Sequence, residues 1–175
     1  MDDCDCLYCI TPDSRIERVN RTAWIHFAPA APAPIRFRTS LNLLFTFVKI
    51  NGKGPYDFVI DTGATQTVIS EKAAADAGLQ AITSTVVYGI GGKGKVETKI
   101  YKMKEVTTGD VTVKNTPVGT FDDPLISQIA DGILGTSIFS DFIVTIDYRA
   151  GELLLARKRP PVPSGAEVIP VWFFS

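Results

Sequence analysis

The stretch FVIDTGATQTVIS at residues 58–70 sets the acid Asp61 directly behind three apolar residues. Thr62, Gly63 and Ala64 follow before a β-branched run resumes. An ionised carboxylate carried toward an apolar interior needs a partner or several hydrogen bonds, and otherwise takes up a proton. The chemistry on offer is that of a carboxyl group exchanging its proton, which makes Asp61 the first candidate functional residue. The bland alternative is an ordinary turn, since Asp and Gly are both common turn formers. Two other acids compete: Asp131 precedes Gly132 as a turn would, and Asp147 ends an apolar run before Tyr148. Both read as structural.

A second stretch, YGIGGKGKVETKIYK from Tyr88, tests phosphate binding, because Gly89, Gly94 and Lys95 carry the spacing G-x-x-x-x-G-K. Val96 stands where a Ser or Thr must reach magnesium, and Val96, Thr98, Ile100 and Lys102 alternate as a strand where such a loop requires a helix. The better expectation is a β-hairpin whose tip glycines permit positive φ and a close approach by another backbone. Metal chemistry has little support. Cys4, Cys6 and Cys9 crowd into one segment, His26 is the sole histidine, and a structural zinc site closes with four ligands. These cysteines are not a disulfide framework; a frayed tail is expected there, with no metal and no cofactor. His26 has no partner motif and is expected to be solvated or packed.

The elements that must hold Asp61 follow from the alternation of β-branched and aromatic residues between turn signals. Strands are expected over Leu43 to Ile50, Tyr56 to Ile60, Thr67 to Ser70, Thr83 to Tyr88, Val96 to Val106, Val111 to Val118, Val144 to Tyr148 and Glu152 to Ala156. Turns are expected at residues 51–55, where Pro55 would block pairing, and at residues 108–110. Two short helices are expected. One runs through EKAAADAG with Ser70 as N-cap and Gly78 as its close, and the other follows Gly135 through TSIFSDF. The fold class is all-β, with one or two short helices.

With 175 residues, 45% of them apolar, and a net charge of −1, the chain suits one globular domain. The balanced charge and the lack of a basic stripe argue against nucleic acid as a partner. No apolar run approaches the roughly 20 residues of a membrane span. The N-terminus MDDCDCLYCI lacks the basic and apolar regions of a secretory signal. As written the chain is expected in the cytoplasm, with export left open should the true start lie upstream. Residues 1–34, ending in APAAPAP, read as an arm and Pro-rich linker, 35–158 as the domain, and 159–175 as a linker and terminal strand. Val168 to Phe174 is the candidate for that strand, with the opening of a truncated second copy as the alternative.

Asp61-Thr62-Gly63 after a strand, the glycine-tipped hairpin, and Ile133-Leu134-Gly135 occur in an order that resembles the retroviral-type (retropepsin-like) aspartic proteases. Within them the wording of NGKGPYDFVIDTGATQTVIS and DGILGTSIFSDFIVTIDY looks most like the bacterial aspartyl protease family. The resemblance covers roughly residues 35–158. It implies a single-lobed acid-protease barrel and an aspartic endopeptidase in which two carboxylates share one proton. The chain carries a single such motif, so a homodimer would supply the second Asp61 across a twofold axis.

On that resemblance Thr62 would bond across the dimer, Gly63 would offer its N–H to a carboxylate oxygen, and Ala64 is small where the loop is crowded. Ile133, Leu134 and Gly135 would back the loop. Tyr88, Gly89, Ile90, Gly91 and Gly92 would form a flap over an extended polypeptide substrate. Lys93 and Lys95 depart from the more apolar retroviral flap. The competing reading is a non-catalytic peptide- or protein-binding module of the same fold.

Overall fold

The computed structural model describes residues 25–27, 34–88, 95–121, 124–139, 142–156, 164–165 and 167. In chain order the strands are β1 (Ile25–Phe27), β2 (Pro34–Arg36), β3 (Arg38–Ser40), β4 (Leu43–Ile50), β5 (Lys53–Ile60) and β6 (Val68–Ser70). The helix α1 (Glu71–Asp76) separates these from β7 (Ala81–Tyr88), β8 (Lys95–Thr108) and β9 (Val111–Phe121). A one-turn helix α2 (Pro124–Ser127), β10 (Gly132–Leu134), a 3₁₀ turn (Thr136–Ile138), β11 (Ile143–Asp147) and β12 (Glu152–Ala156) complete the described chain.

Pairing closes six of these strands into a barrel. β9 pairs β6, β6 pairs β10, β10 pairs β5, β5 pairs β4, β4 pairs β8, and β8 returns to β9. Closure leaves these strands few unpaired edges. β7 extends from β8 as a hairpin, β3 folds back on β4, and β1 pairs the start of β9. A smaller sheet, ordered β11, β12, β2, lies against the barrel, since Ile35, Leu153 and Leu155 share one core with Val48, Phe58, Ile69, Val106 and Leu134.

The period-two reading holds where a barrel strand buries one face; toward Asp61, β4 and β5 bury both, with Phe45 and Val59 opposite the face of Phe58 and Ile60. On β4, Thr46, Val48 and Ile50 are buried while Phe47 and Lys49 are exposed. β8 and β9 swap their buried face at the same level: Met103 and Val106 are buried on β8, Val113 and Thr116 on β9. Asn115, between the latter two, takes φ 57, a conformation Asn tolerates. Ser70 caps α1 as expected, its Oγ accepting from the Ala73 N–H at 3.2 Å.

Three expectations change. The turn at residues 51–55 is confined to Asn51 and Gly52, with φ 53 and 79, the type I′ geometry that suits strand twist. Gly54 and Pro55 stay inside β5, and a register shift between Val48 and Ile50 on β4 absorbs them. The second helix is only the 3₁₀ turn, because Ile138 and Phe139 donate to residues three back, Gly135 and Thr136. Ile25–Phe27, in the segment read as an arm, pairs with β9. The expected terminal strand Val168 to Phe174 and Cys4, Cys6 and Cys9 lie outside the described residues.

Tyr56, 6% exposed, fastens β5 to the end of α1 by donating to Asp76 Oδ2 at 2.6 Å. Burial, then the hydrogen bond to Asp76 and the charges of Asp76 and Asp131, push its phenol up from 10.0 to about 12. The folded state therefore holds this proton more tightly than the unfolded chain. The resulting stability is complete below pH about 10 and is lost as pH rises through about 12. Tyr56→Phe is expected to lower stability by about 1 kcal/mol at neutral pH. It should also flatten the decline on the alkaline side, which urea midpoints measured against pH will show.

Candidate active site

β5 delivers Asp61. Phe58 and Ile60 point into the main core, while Val59 lies on the opposite face with Phe45 and Ala130. β10 runs parallel beside it in the register Gly132 to Phe58, Ile133 to Val59 and Leu134 to Ile60. The Asp61 N–H donates to the Leu134 carbonyl at 3.1 Å, so the chain leaves the sheet where β10 also ends. Asp61 is half-buried, and Thr62 and Gly63 are exposed. The carboxylate therefore sits at the rim of the barrel, not in its interior as the apolar approach suggests.

The loop after Asp61 is tightly held. The Gly63 N–H donates to Asp61 Oδ1 at 2.8 Å, and the Ala64 N–H donates to the Asp61 carbonyl at 3.3 Å. The Ala64 carbonyl accepts from the Thr136 N–H at 2.8 Å and from the Thr136 hydroxyl at 3.2 Å. The Ser137 N–H donates to the Thr65 carbonyl at 3.0 Å. Buried Thr67 closes the brace: its Oγ1 accepts from the Gly135 N–H at 3.2 Å, and its own N–H donates to Ser137 Oγ at 3.3 Å.

Gly135 makes this possible. A Cβ there would lie 2.4 Å from the Gln66 carbonyl oxygen and 2.8 Å from that of Ala64. Gly132 is equally confined, since a Cβ would meet the Phe58 ring at 2.3 Å and the Val68 carbonyl oxygen at 2.7 Å. Leu134 and Gly135 thus lie against the Asp61 loop, Leu134 accepting the Asp61 N–H and Gly135 abutting residues 64–66, while Ile133 pairs with Val59.

Residues that the sequence reading left out complete the support. Thr67, Thr136 and Ser137 carry the cross-loop bonds; hydroxyl side chains just after each motif are the signal that could have found them. Asp131 ties β5 to β6: its Oδ2 accepts from the Asp57 N–H at 2.9 Å, its N–H donates to the Asp57 carbonyl at 2.7 Å, and its carbonyl accepts from the Ser70 N–H at 2.8 Å. Asp147 accepts from the N–H groups of Arg149 and Ala150, both at 2.9 Å, within a tight turn.

Beside Asp61 the barrel presents apolar surface. Ile133 is half-buried next to Val59, and Leu43, at the start of β4, is 36% exposed. Arg38 lies over the Phe45 ring, 4.4 Å from its centroid, and pairs with Asp57. β7 and β8 pair from Ala81 with Tyr101 up to Tyr88 with Lys95, so the segment between them joins a hairpin. Of the flap candidates only the backbone of Tyr88 is described; Gly89, Ile90, Gly91 and Gly92 lie outside the described residues. Among the described residues no three His, Cys, Asp or Glu side chains cluster as metal ligands, and no helix is long and apolar enough to cross a membrane.

Because a methyl group at residue 135 would push directly on two backbone carbonyls, Gly135→Ala is expected to cost about 1–3 kcal/mol or more. It should also speed hydrogen exchange at the Asp61 and Thr136 amides. A urea midpoint and exchange rates equal to the wild type would show that the loop yields freely.

A family model described as aspartyl protease matches residues 47–138, a span that holds the Asp61 loop and the whole brace behind it. The fold is similar to that of a retropepsin-like aspartic protease from Rickettsia conorii, at 18% identity and TM-score 0.50, covering 76% of this chain and 93% of that one. A further similar structure is the retroviral protease-like domain of Ddi1 from Leishmania major, at 17% identity and TM-score 0.47, covering 72% of this chain and 98% of that one. No curated protein sequence matches. With a closed barrel, the Asp-Thr-Gly loop and the glycine that backs it all inside the matched span or the shared fold, the chain belongs to the aspartyl protease family and has a retropepsin-like fold.

Proposed function

We propose that the chain is an aspartic endopeptidase whose site is assembled from two copies, each supplying Asp61. The observation that carries this reading is the half-buried Asp61 carboxylate, fixed by the Gly63 N–H at the mouth of a braced loop in a chain with one such motif. Two carboxylates brought within hydrogen-bonding distance cannot both ionise easily, so they hold one proton between them. The ionised one takes a proton from a bound water as it attacks the scissile carbonyl carbon, and the protonated one gives its proton to the carbonyl oxygen. Collapse of the tetrahedral species breaks the C–N bond, with the amine leaving protonated.

In this reading the other residues have supporting tasks. Thr62, exposed at the loop, bonds across the dimer, and Gly63 keeps the carboxylates coplanar. Ala64 with Ile133, Leu134 and Gly135 holds the loop rigid, which matters because misplacement of a reacting group by about 1 Å can cost 10²-fold in rate. The hairpin ending at Tyr88, with Gly89, Ile90, Gly91 and Gly92, closes over a peptide in extended form and excludes water.

Incubation with a mixed peptide library from acid to neutral pH tests the proposal. Wild type is expected to cleave with a bell-shaped pH profile, since the pair must carry a single proton. Asp61→Asn is expected to lose at least ~10³-fold. Equal cleavage by both proteins would reject the mechanism. Peptide binding without cleavage by either would instead establish a binding module of this fold.

A further inference from the structure

β4 is bounded by two tight turns that share a backbone shape but not a composition. At its far end Asn51 and Gly52 take φ 53 and 79, the residue pair that such a hairpin turn favours. At the end nearest Asp61, the hairpin from β3 turns through Leu41 and Asn42 with φ 52 and 59, between the paired residues Ser40 and Leu43. A leucine in the left-handed region brings its Cβ against the following carbonyl, a conformation left mainly to Gly, Asn and Asp. Leu41 is also 71% exposed, so neither local backbone preference nor burial among the described residues accounts for it.

Register places this tip. Leu44 pairs Ile60, so Leu43 stands beside Asp61 and the tip projects past the Asp61 loop on the same end of the barrel. With a rise of about 3.4 Å per residue and strands about 4.8 Å apart, Leu41 lies within about 10 Å of Asp61. A second copy whose Asp61 approaches within hydrogen-bonding distance of the first brings its surface to this same end of the barrel, where the tip stands across β4 from β5.

We infer that the Leu41-Asn42 hairpin tip is a contact for the second copy of this chain, Leu41 being inserted into the partner's surface beside the paired loops. The inference rests on the two-copy reading of the site. It explains both anomalies together: strain at the tip is retained because it aims an apolar side chain outward, and exposure ends when the partner arrives.

Leu41→Asn separates this role from that of a plain turn, because Asn relieves the left-handed strain while removing the apolar side chain. Sedimentation across a dilution series reads the dimer dissociation constant, and thermal melting of the diluted protomer reads the fold. The expected result is a dissociation constant raised roughly tenfold or more, with a protomer melting point equal to or above the wild type. Leu41→Gly should behave alike. Unchanged dissociation with a higher melting point would make the tip a turn only and overturn the inference. A raised KM for a cleaved peptide with unchanged dissociation would assign the tip to substrate and equally overturn it. Failure of the underlying reading looks different: the wild type itself would remain monomeric at every concentration, removing both.

Discussion

The structure turns on the approach of Gly135 to the backbone of residues 64–66. There a strand end and a loop touch carbonyl to Cα with no room for a side chain. The loop after Asp61 has no regular secondary structure, and a free loop of that length would sample many conformations. Hydrogen bonds from Thr136, Ser137 and Gly135 onto Ala64, Thr65 and Thr67 replace the ladder the loop lacks.

That contact in turn requires the barrel. β10 is only three residues long, and it is held because it sits between β5 and β6, paired to both. Gly132 permits this by letting the Phe58 ring occupy the space where a Cβ would be. Asp131 then spends its carboxylate on the β5 backbone rather than on chemistry. Two half-buried acids thus hold different parts of the chain: Asp131 takes the Asp57 N–H and ties neighbouring strands, while Asp61 takes the Gly63 N–H and closes its own loop.

Much of this was legible in the sequence, and the reasons are physical. β4 and β12 have the expected limits, because an alternating strand with one buried face announces its period. Ser70 announced α1, because a hydroxyl before a run of helix formers has a donor to satisfy. The Asp61 loop and the Ile133 to Gly135 stretch were singled out from their residue types and from family resemblance. β10 and β3 were missed because three residues carry no detectable period. The extension of β5 through Gly54 and Pro55 was missed because those residues usually end strands, and here they stand as a bulge, two residues of β5 opposite Lys49 of β4. The cross-loop role of Thr67, Thr136 and Ser137 was missed: the hydroxyl residues just after each motif were the only signal, and bonds between residues far apart in the chain add no local period to it.

The central claim is that each protomer contributes one of the two carboxylates. Peptidase activity in mixtures of wild type with Asp61→Asn, exchanged to equilibrium at fixed total protein, measures that directly. A shared site predicts activity that follows the square of the wild-type fraction, because only pairs with two intact Asp61 residues can turn over. Activity in simple proportion to the wild-type fraction would mean that one protomer suffices, and would contradict the account.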